Sequence, residues 1–360
     1  MIRAGALPAF LAAMLVCAGA QAQWSPVARP ALAFQPRQYI AYRTSAAPVI
    51  DGKLDEADWD QAAWTEDFVD IEGPAKPRPR FRTRAKLLWD DDYLYFAVEM
   101  EEPDLWATLT ERDSVIYHDN DIELFIDPEG GTHRYMELEI NQFGTAWDLL
   151  LTKPYRDGER VPYNGWDIHG LKIGRQLRGT LNQPGDRDHG WTVEVAIPWR
   201  ALRESYGPVL RPQPGEQWRL NFSRVEWQTK VVDGAYQKLQ QPEDNWVWSP
   251  QGVINMHYPE MWGVVQFSGR TVGQAADSWR DDPSLAAKWL LREIYYAQRG
   301  YYAKHQRFAR HLGQLGLTLK PVAGYAWPPR LYATPDQFSA RLEGRDGRAA
   351  LRIEQDGLVR

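Results

Sequence analysis

The chain has 360 residues, enough for one large or two modest domains with a real hydrophobic core. Its formal net charge of −6 has the wrong sign for a phosphate backbone, which argues against nucleic acid as a partner. One cysteine, Cys17, leaves no thiol pair for a disulfide framework or a thiolate metal site.

In chain order, Arg3 supplies a basic start and residues 9–20 an apolar stretch too short to span a bilayer. Ala20-Gln21-Ala22 then gives the small-x-small pattern that signal peptidase requires. Residues 1–22 are expected to be a cleaved signal peptide, carrying the chain to the periplasm or out of the cell and removing Cys17. Val16, just before Cys17, does not suit a lipid-attachment site. No later segment is apolar enough to span a membrane. Residues 23–38 are rich in Pro and Ala and lack periodicity, so they read as a linker or an arm lying over the surface.

From Tyr39 onward the pattern becomes short alternating segments broken by Gly, Pro, Asp and Asn. Segments 84–88 and 93–100 flank Asp90-Asp91-Asp92 as a hairpin, and Asp55 is placed to cap a helical turn over 55–59. Further strands are expected at 121–127, 135–141, 146–151, 171–181, 191–197, 217–226 and 262–267. With no long helices between them, the expected fold over 39–268 is all-β: an antiparallel β-sandwich of immunoglobulin-like or jelly-roll-like kind. Residues 269–360 are expected to add a small helical α+β extension. It holds a helix from Ser284 to about Leu315 and short strands over 338–343 and 349–354.

Parity within the strands sorts their side chains. Ile122, Leu124 and Ile126 share one face, with Glu123 and Phe125 opposite. Met136, Leu138 and Ile140 share one face, with Tyr135, Glu137, Glu139 and Asn141 opposite. The second row is either an ordinary solvated face or a row of acceptors for sugar hydroxyls. Arg224 and Glu226 point inward, as a buried ion pair or past the strand's end, while Asn221 and Ser223 take the opposite side and could reach a ligand. Seventeen tryptophans fit both core packing and stacking on sugar rings.

Six motifs occur in order: Pro48-Val49-Ile50-Asp51-Gly52-Lys53-Leu54-Asp55-Glu56 with Trp59; Leu88-Trp89-Asp90-Asp91-Asp92-Tyr93-Leu94-Tyr95; and Asn120-Asp121-Ile122-Glu123-Leu124-Phe125-Ile126-Asp127. Then come Gly190-Trp191-Thr192-Val193-Glu194-Val195-Ala196-Ile197-Pro198; Asn221-Phe222-Ser223-Arg224; and His257-Tyr258-Pro259-Glu260-Met261-Trp262-Gly263. The set resembles the family 9 carbohydrate-binding modules and family-9-like proteins from about Ile40 to Phe267. That resemblance implies a sandwich holding sugar on a concave face between two aromatic side chains, above polar groups that bond its hydroxyls. It further implies plant polysaccharide ends as ligands, xylan among them. Tyr117 falls at the first clamp. The second falls near Met256-His257, where neither residue is tryptophan, so Trp248 or Trp246 is expected to supply the wall. Glu123 takes the place of a ligand-bonding carboxylate, and Glu137, Glu139 and Asn141 lie on the strand of a second polar contact. Sugar binding is thus expected at Tyr117, Glu123, Glu137, Glu139, Asn141, Asn221, Trp248 and His257, without catalysis and by a monomer.

Two other classes of function remain in view. Glu137 and Glu139 could serve as a glycosidase pair, although no acid is marked by an apolar pocket. Met256, His257 and Met261 are haem-ligand types, although adjacent Met256 and His257 point to opposite sides of an extended strand. No cofactor is required. Structural calcium is compatible with Asp90–Asp92, Asp119–Asp121 and Asp127, which also favour turns.

Overall fold

The computed structural model describes residues 24–159, 161–203, 207 and 211–360; the expected signal segment lies outside the described residues. The strands are β1 (Gln38–Arg43), β2 (Val69–Asp70), β3 (Thr83–Trp89), β4 (Tyr93–Met100), β5 (Asp121–Asp127) and β6 (Tyr135–Asn141). They continue as β7 (Ala146–Leu151), β8 (Pro162–Tyr163), β9 (Lys172–Arg178), β10 (Gly190–Pro198), β11 (Gln217–Glu226) and β12 (Thr229–Val232). The last are β13 (Ala235–Lys238), β14 (Asp244–Val247), β15 (Gly263–Thr271), β16 (Arg330–Ala333), β17 (Phe338–Leu342) and β18 (Leu351–Glu354).

Hydrogen bonding runs in the order β8-β7-β6-β5-β11-β15-β1-β3-β4-β10-β9, with β14 added to β11 and β2 to β14. β1 is where this path folds over. Gln38 to Ala41 pair with β15, and after a register shift Tyr42 and Arg43 pair with β3. A strand that changes partner at an irregularity lets a sheet turn a corner and close on itself as two layers. Both β1 pairings are parallel, whereas a purely antiparallel sandwich was expected. Long connections separate β1 from both neighbours, so no tight turn dictates its direction.

The alternating residues meet between the layers. Ile122, Leu124, Ile126, Met136, Leu138, Ile140 and Phe222 of one layer pack with Leu87, Phe96, Val98, Val193 and Val195 of the other in a single core. The second layer's outer face carries Leu88, Tyr95, Ala97 and Ala196 and is roofed by Trp59 of the short helix α1 (Ala57–Gln61). Glu194 holds this roof in place: it accepts from Trp59 Nε1 at 2.7 Å and from the backbone N–H groups of Asp51 and Gly52. Gly52 sits at φ +86° with the Arg175 backbone 2.3 Å from where a Cβ would stand, so only glycine fits there. Asp55 does not cap α1. The cap position belongs to Glu56, whose side chain accepts from Val49 N rather than capping the helix, and Asp58 ties the turn to Thr44 and Ser45.

The C-terminal helix α2 (Pro283–His305) is capped by Asp282, which accepts from Ser284 N at 2.9 Å. It stops at Gln306, in the left-handed region at φ +53°, and residues 312–315 form a separate 3₁₀ turn rather than its continuation. Leu291, Ile294 and Tyr295 of α2 pack with Phe338, Ala340 and Ile353 of the small β16–β17–β18 sheet. Residues 24–37 lie as an arm along α2: Phe34 stacks on Trp289 at 4.7 Å, and Arg29 pairs with Glu293. Among the described residues, no helix is long and apolar enough to cross a membrane.

Candidate functional site

On the first layer's outer face Trp262 packs over Phe125 and Tyr135, and beside this cover a cavity of about 460 Å³ opens. Its floor comes from three adjacent strands. β5 contributes Glu123 and Phe125, β6 contributes Glu137 and Glu139, and β7 contributes Trp147 and Leu149. Strand pairing fixes their neighbours, with Glu123 opposite Glu139, Phe125 opposite Glu137, and Glu139 opposite Trp147. Tyr117 rises from one 3₁₀ turn (Ile116–His118) and Tyr155 from another (Tyr155–Asp157). The rest of the wall is Glu243, Asn245 and the loop carrying Ile254, Asn255, Met256 and His257. Tyr117 and Tyr155 are 38% and 44% exposed, so both present ring surface to an incoming ligand.

Hydrogen bonds position the rings. The Tyr117 N–H donates to Glu139 Oε2 at 2.9 Å, and the Tyr117 carbonyl accepts from Trp227 Nε1 at 2.8 Å. Tyr155 meets the edge of His257 at a centroid distance of 4.6 Å, and His257 Nδ1 lies 2.9 Å from the Tyr135 hydroxyl. Burial first, and then Arg156, push the His257 pKa down to about 3, so its ring is neutral. Among the described residues, the Trp147 indole N–H has no acceptor.

The acids of the floor are crowded. Asp121, Glu123 and Glu139 each bring a carboxyl oxygen to within 4.8 Å of the others. Burial pushes Glu123 up to about 7, opposed by the Ser223 hydroxyl and assisted by Glu243. Burial also drives Glu137 and Glu139 well above the usual carboxylate range, each raised further by Glu123. Burial and Glu123 do the same to Asp121.

Of the residues expected from sequence, Tyr117, Glu123, Glu137, Glu139 and His257 converge on this cavity. Asn141, Asn221 and Trp248 do not. Asn141 is buried at the end of β6, where its amide donates to the Leu109 carbonyl and Asp119 while its oxygen accepts from Phe143 N and Thr145 N. Asn221 is spent on Ser249, donating to its carbonyl and accepting from its N–H. Trp248 is fully buried in the inter-layer core, with its ring against Gly263, where a Cβ would stand 2.3 Å away. Trp246 lies in the same core. The second exposed ring is Tyr155, a lone tyrosine in an irregular loop that no periodicity marks. Trp147 was legible in principle, sharing parity with Leu149 and Leu151 on β7.

Arg224 and Glu226 form the expected buried ion pair at 2.9 Å, joined by Glu102. Asp90 caps its own turn, accepting from Asp92 N and Tyr93 N. Asp119 binds Thr108 and Leu109, and Asp127 binds Gly130 N and Thr132 N. Met256 and His257 line the cavity, whereas Met261 is buried away from it.

The family described as carbohydrate family 9 binding domain-like matches residues 50–269, well over half of the chain. The chain belongs to this family. Every element that builds the cavity falls within the family 9-like segment. The Acetivibrio thermocellus exoglucanase XynX is 24% identical over 171 residues, which cover 48% of this chain and 13% of that protein. Endo-1,4-beta-xylanase C of Paenibacillus barcinonensis is 34% identical over 101 residues, covering 28% of this chain and 8% of that one. The chain therefore spans only a small part of the curated relatives it matches. Among solved structures, a family 9 carbohydrate-binding module of Caldicellulosiruptor kristjanssonii in complex with cellotriose matches 68% of this chain and all of its own. Its sequence identity is 17% and its TM-score 0.42.

Proposed function

We propose that the chain is an exported, monomeric, non-catalytic carbohydrate-binding protein and that the cavity over β5, β6 and β7 is its sugar site. One observation carries this: two exposed tyrosine rings stand over a floor of buried hydrogen-bonding groups in a cavity on the outer face of the sheet. Tyr117 and Tyr155 offer apolar surface to a sugar ring, while Trp147 Nε1 and the floor carboxyls offer a donor and acceptors to its hydroxyls. Family membership and the xylanase and exoglucanase relatives support plant-type polysaccharide as the source of ligand.

Binding suits this geometry better than cleavage. Glycosidase carboxyls stand roughly 5–10 Å apart across the scissile bond, with room for sugar between them. Here Glu123 and Glu139 project side by side from neighbouring strands, with oxygens within 4.8 Å. Calorimetry with cello-, xylo- and manno-oligosaccharides tests the proposal. Tyr117→Ala and Tyr155→Ala are each expected to weaken binding by about 1–3 kcal/mol while keeping the wild-type melting temperature. Wild-type affinity in both variants would place the site elsewhere.

A further inference from the structure

Elsewhere among the described residues, buried acids are met by a cation or by rows of donors, as Glu194 is by Trp59 Nε1 and two backbone N–H groups. Arg224 meets Glu102 and Glu226, Arg299 meets Asp157, and Arg156 meets Glu260, so each of these buried acids has its cation. Around the cavity stand Glu123, Glu137, Glu139 and Glu243, with Asp121 beside them, and among the described residues no lysine or arginine lines it. Asp121 Oδ2, Glu123 Oε2 and Glu137 Oε2 are buried and accept no hydrogen bond from the protein, on residues only 1%, 5% and 5% exposed. A neutral sugar could donate hydroxyls to these oxygens, but it would bring no charge to offset so many desolvated carboxyls.

We propose that the cavity selects a sugar carrying a protonated amine, a 2-amino-2-deoxyhexose unit of an oligosaccharide, with its ammonium seated on Glu123 and Glu137. This rests on the carbohydrate-binding reading of the same cavity, and as the preferred sugar it puts an amino sugar in place of the neutral plant-type units. An ammonium has three donors to offer, and Glu123 and Glu137, which line the cavity, each keep an open acceptor. The walls favour an organic cation over a bare metal ion. Tyr117, Tyr155 and Trp147 offer ring faces to a sugar and its positive group, and a metal would use none of them. A cavity of about 460 Å³ also has room for sugar units, far more than an ion needs.

The test is calorimetry on the full chain, in buffer near pH 7, with three trimers: β-1,4-glucosamine, its fully N-acetylated counterpart and cellotriose. The glucosamine trimer is expected to bind at least roughly tenfold more tightly than either other trimer. In Glu123→Gln and Glu137→Gln that ratio is expected to fall towards one, with a melting temperature at or above wild type certifying the fold. Equal or tighter binding of cellotriose or the acetylated trimer would overturn the amine proposal while leaving sugar binding intact. Binding that is lost with a chelator and restored by calcium would also overturn it, by assigning the acids to a metal. No binding of any trimer, with or without calcium, would remove the carbohydrate reading beneath it.

Discussion

Two of the regions in which this molecule buries acids treat them oppositely. At the seam between the sandwich and α2, Glu260 is held at about 2 by Arg156 and Arg292 although burial pushes it upward, and the Tyr296 hydroxyl donates to it. Asp157, a few ångströms away, takes Arg299 and the Tyr295 hydroxyl. In the open cavity, Glu123, Glu137, Glu139 and Asp121 face one another with no protein cation among the lining residues, and all are pushed upward. The seam is finished by the chain itself, whereas the cavity leaves its charge to be met by a proton or a ligand. Burial alone does not separate structural acids from functional ones; the presence of a partner does.

The contrast can be broken most forcefully at the seam. Arg156→Ala strips Glu260 of its bidentate partner and is expected to destabilise the fold by about 3–5 kcal/mol in denaturant unfolding. A loss below about 1 kcal/mol would mean the seam is not held by charge. A smaller effect of opposite sign is expected in the cavity. The double variant Glu123→Gln, Glu137→Gln removes two carboxyls that burial disfavours, and should stabilise the unliganded chain by about 2 kcal/mol near neutral pH. Destabilisation instead would show that the floor is already neutralised.

The pH dependence sharpens the same comparison. Glu123 has a folded pKa of about 7, above its unfolded value, so its contribution is full below about 4.5 and is lost as pH rises through 7. Glu260 has a folded pKa of about 2, below its unfolded value, so its contribution is present above about 4.5 and is lost as pH falls through 2. Unfolding free energy should therefore decline between about pH 5 and 8, and the cavity double variant should flatten that decline. An unchanged slope in the variant would assign the decline to other groups.

Much of this was legible before any coordinates. Strict alternation in 135–141 placed Met136, Leu138 and Ile140 in the core and Glu137 and Glu139 on the opposite face, because a pleated strand leaves a side chain no other choice. The same parity failed for Asn141, which ends its strand and turns its amide into the following loop. It failed for Asn221 because the segment after β14 brings Ser249 against it, so an outward residue is still buried. Trp248 lies just past β14, where parity has no hold, and a glycine on a distant strand made room for its ring. Tyr155 needed the third dimension. Its turn is placed by Arg156 and Asp157 gripping α2 and Glu260, contacts more than a hundred residues away in sequence.

That turn has a practical consequence for anyone shortening the chain. The recognised family segment stops at residue 269, yet Tyr155 is carried by a turn whose next two residues are anchored to Tyr295 and Arg299. A clone trimmed at the family boundary would lose those anchors, strand Asp157 without its arginine, and let one side of the ligand cleft swing loose. The smallest portable version of this protein therefore keeps α2 and the small C-terminal sheet together with the family segment.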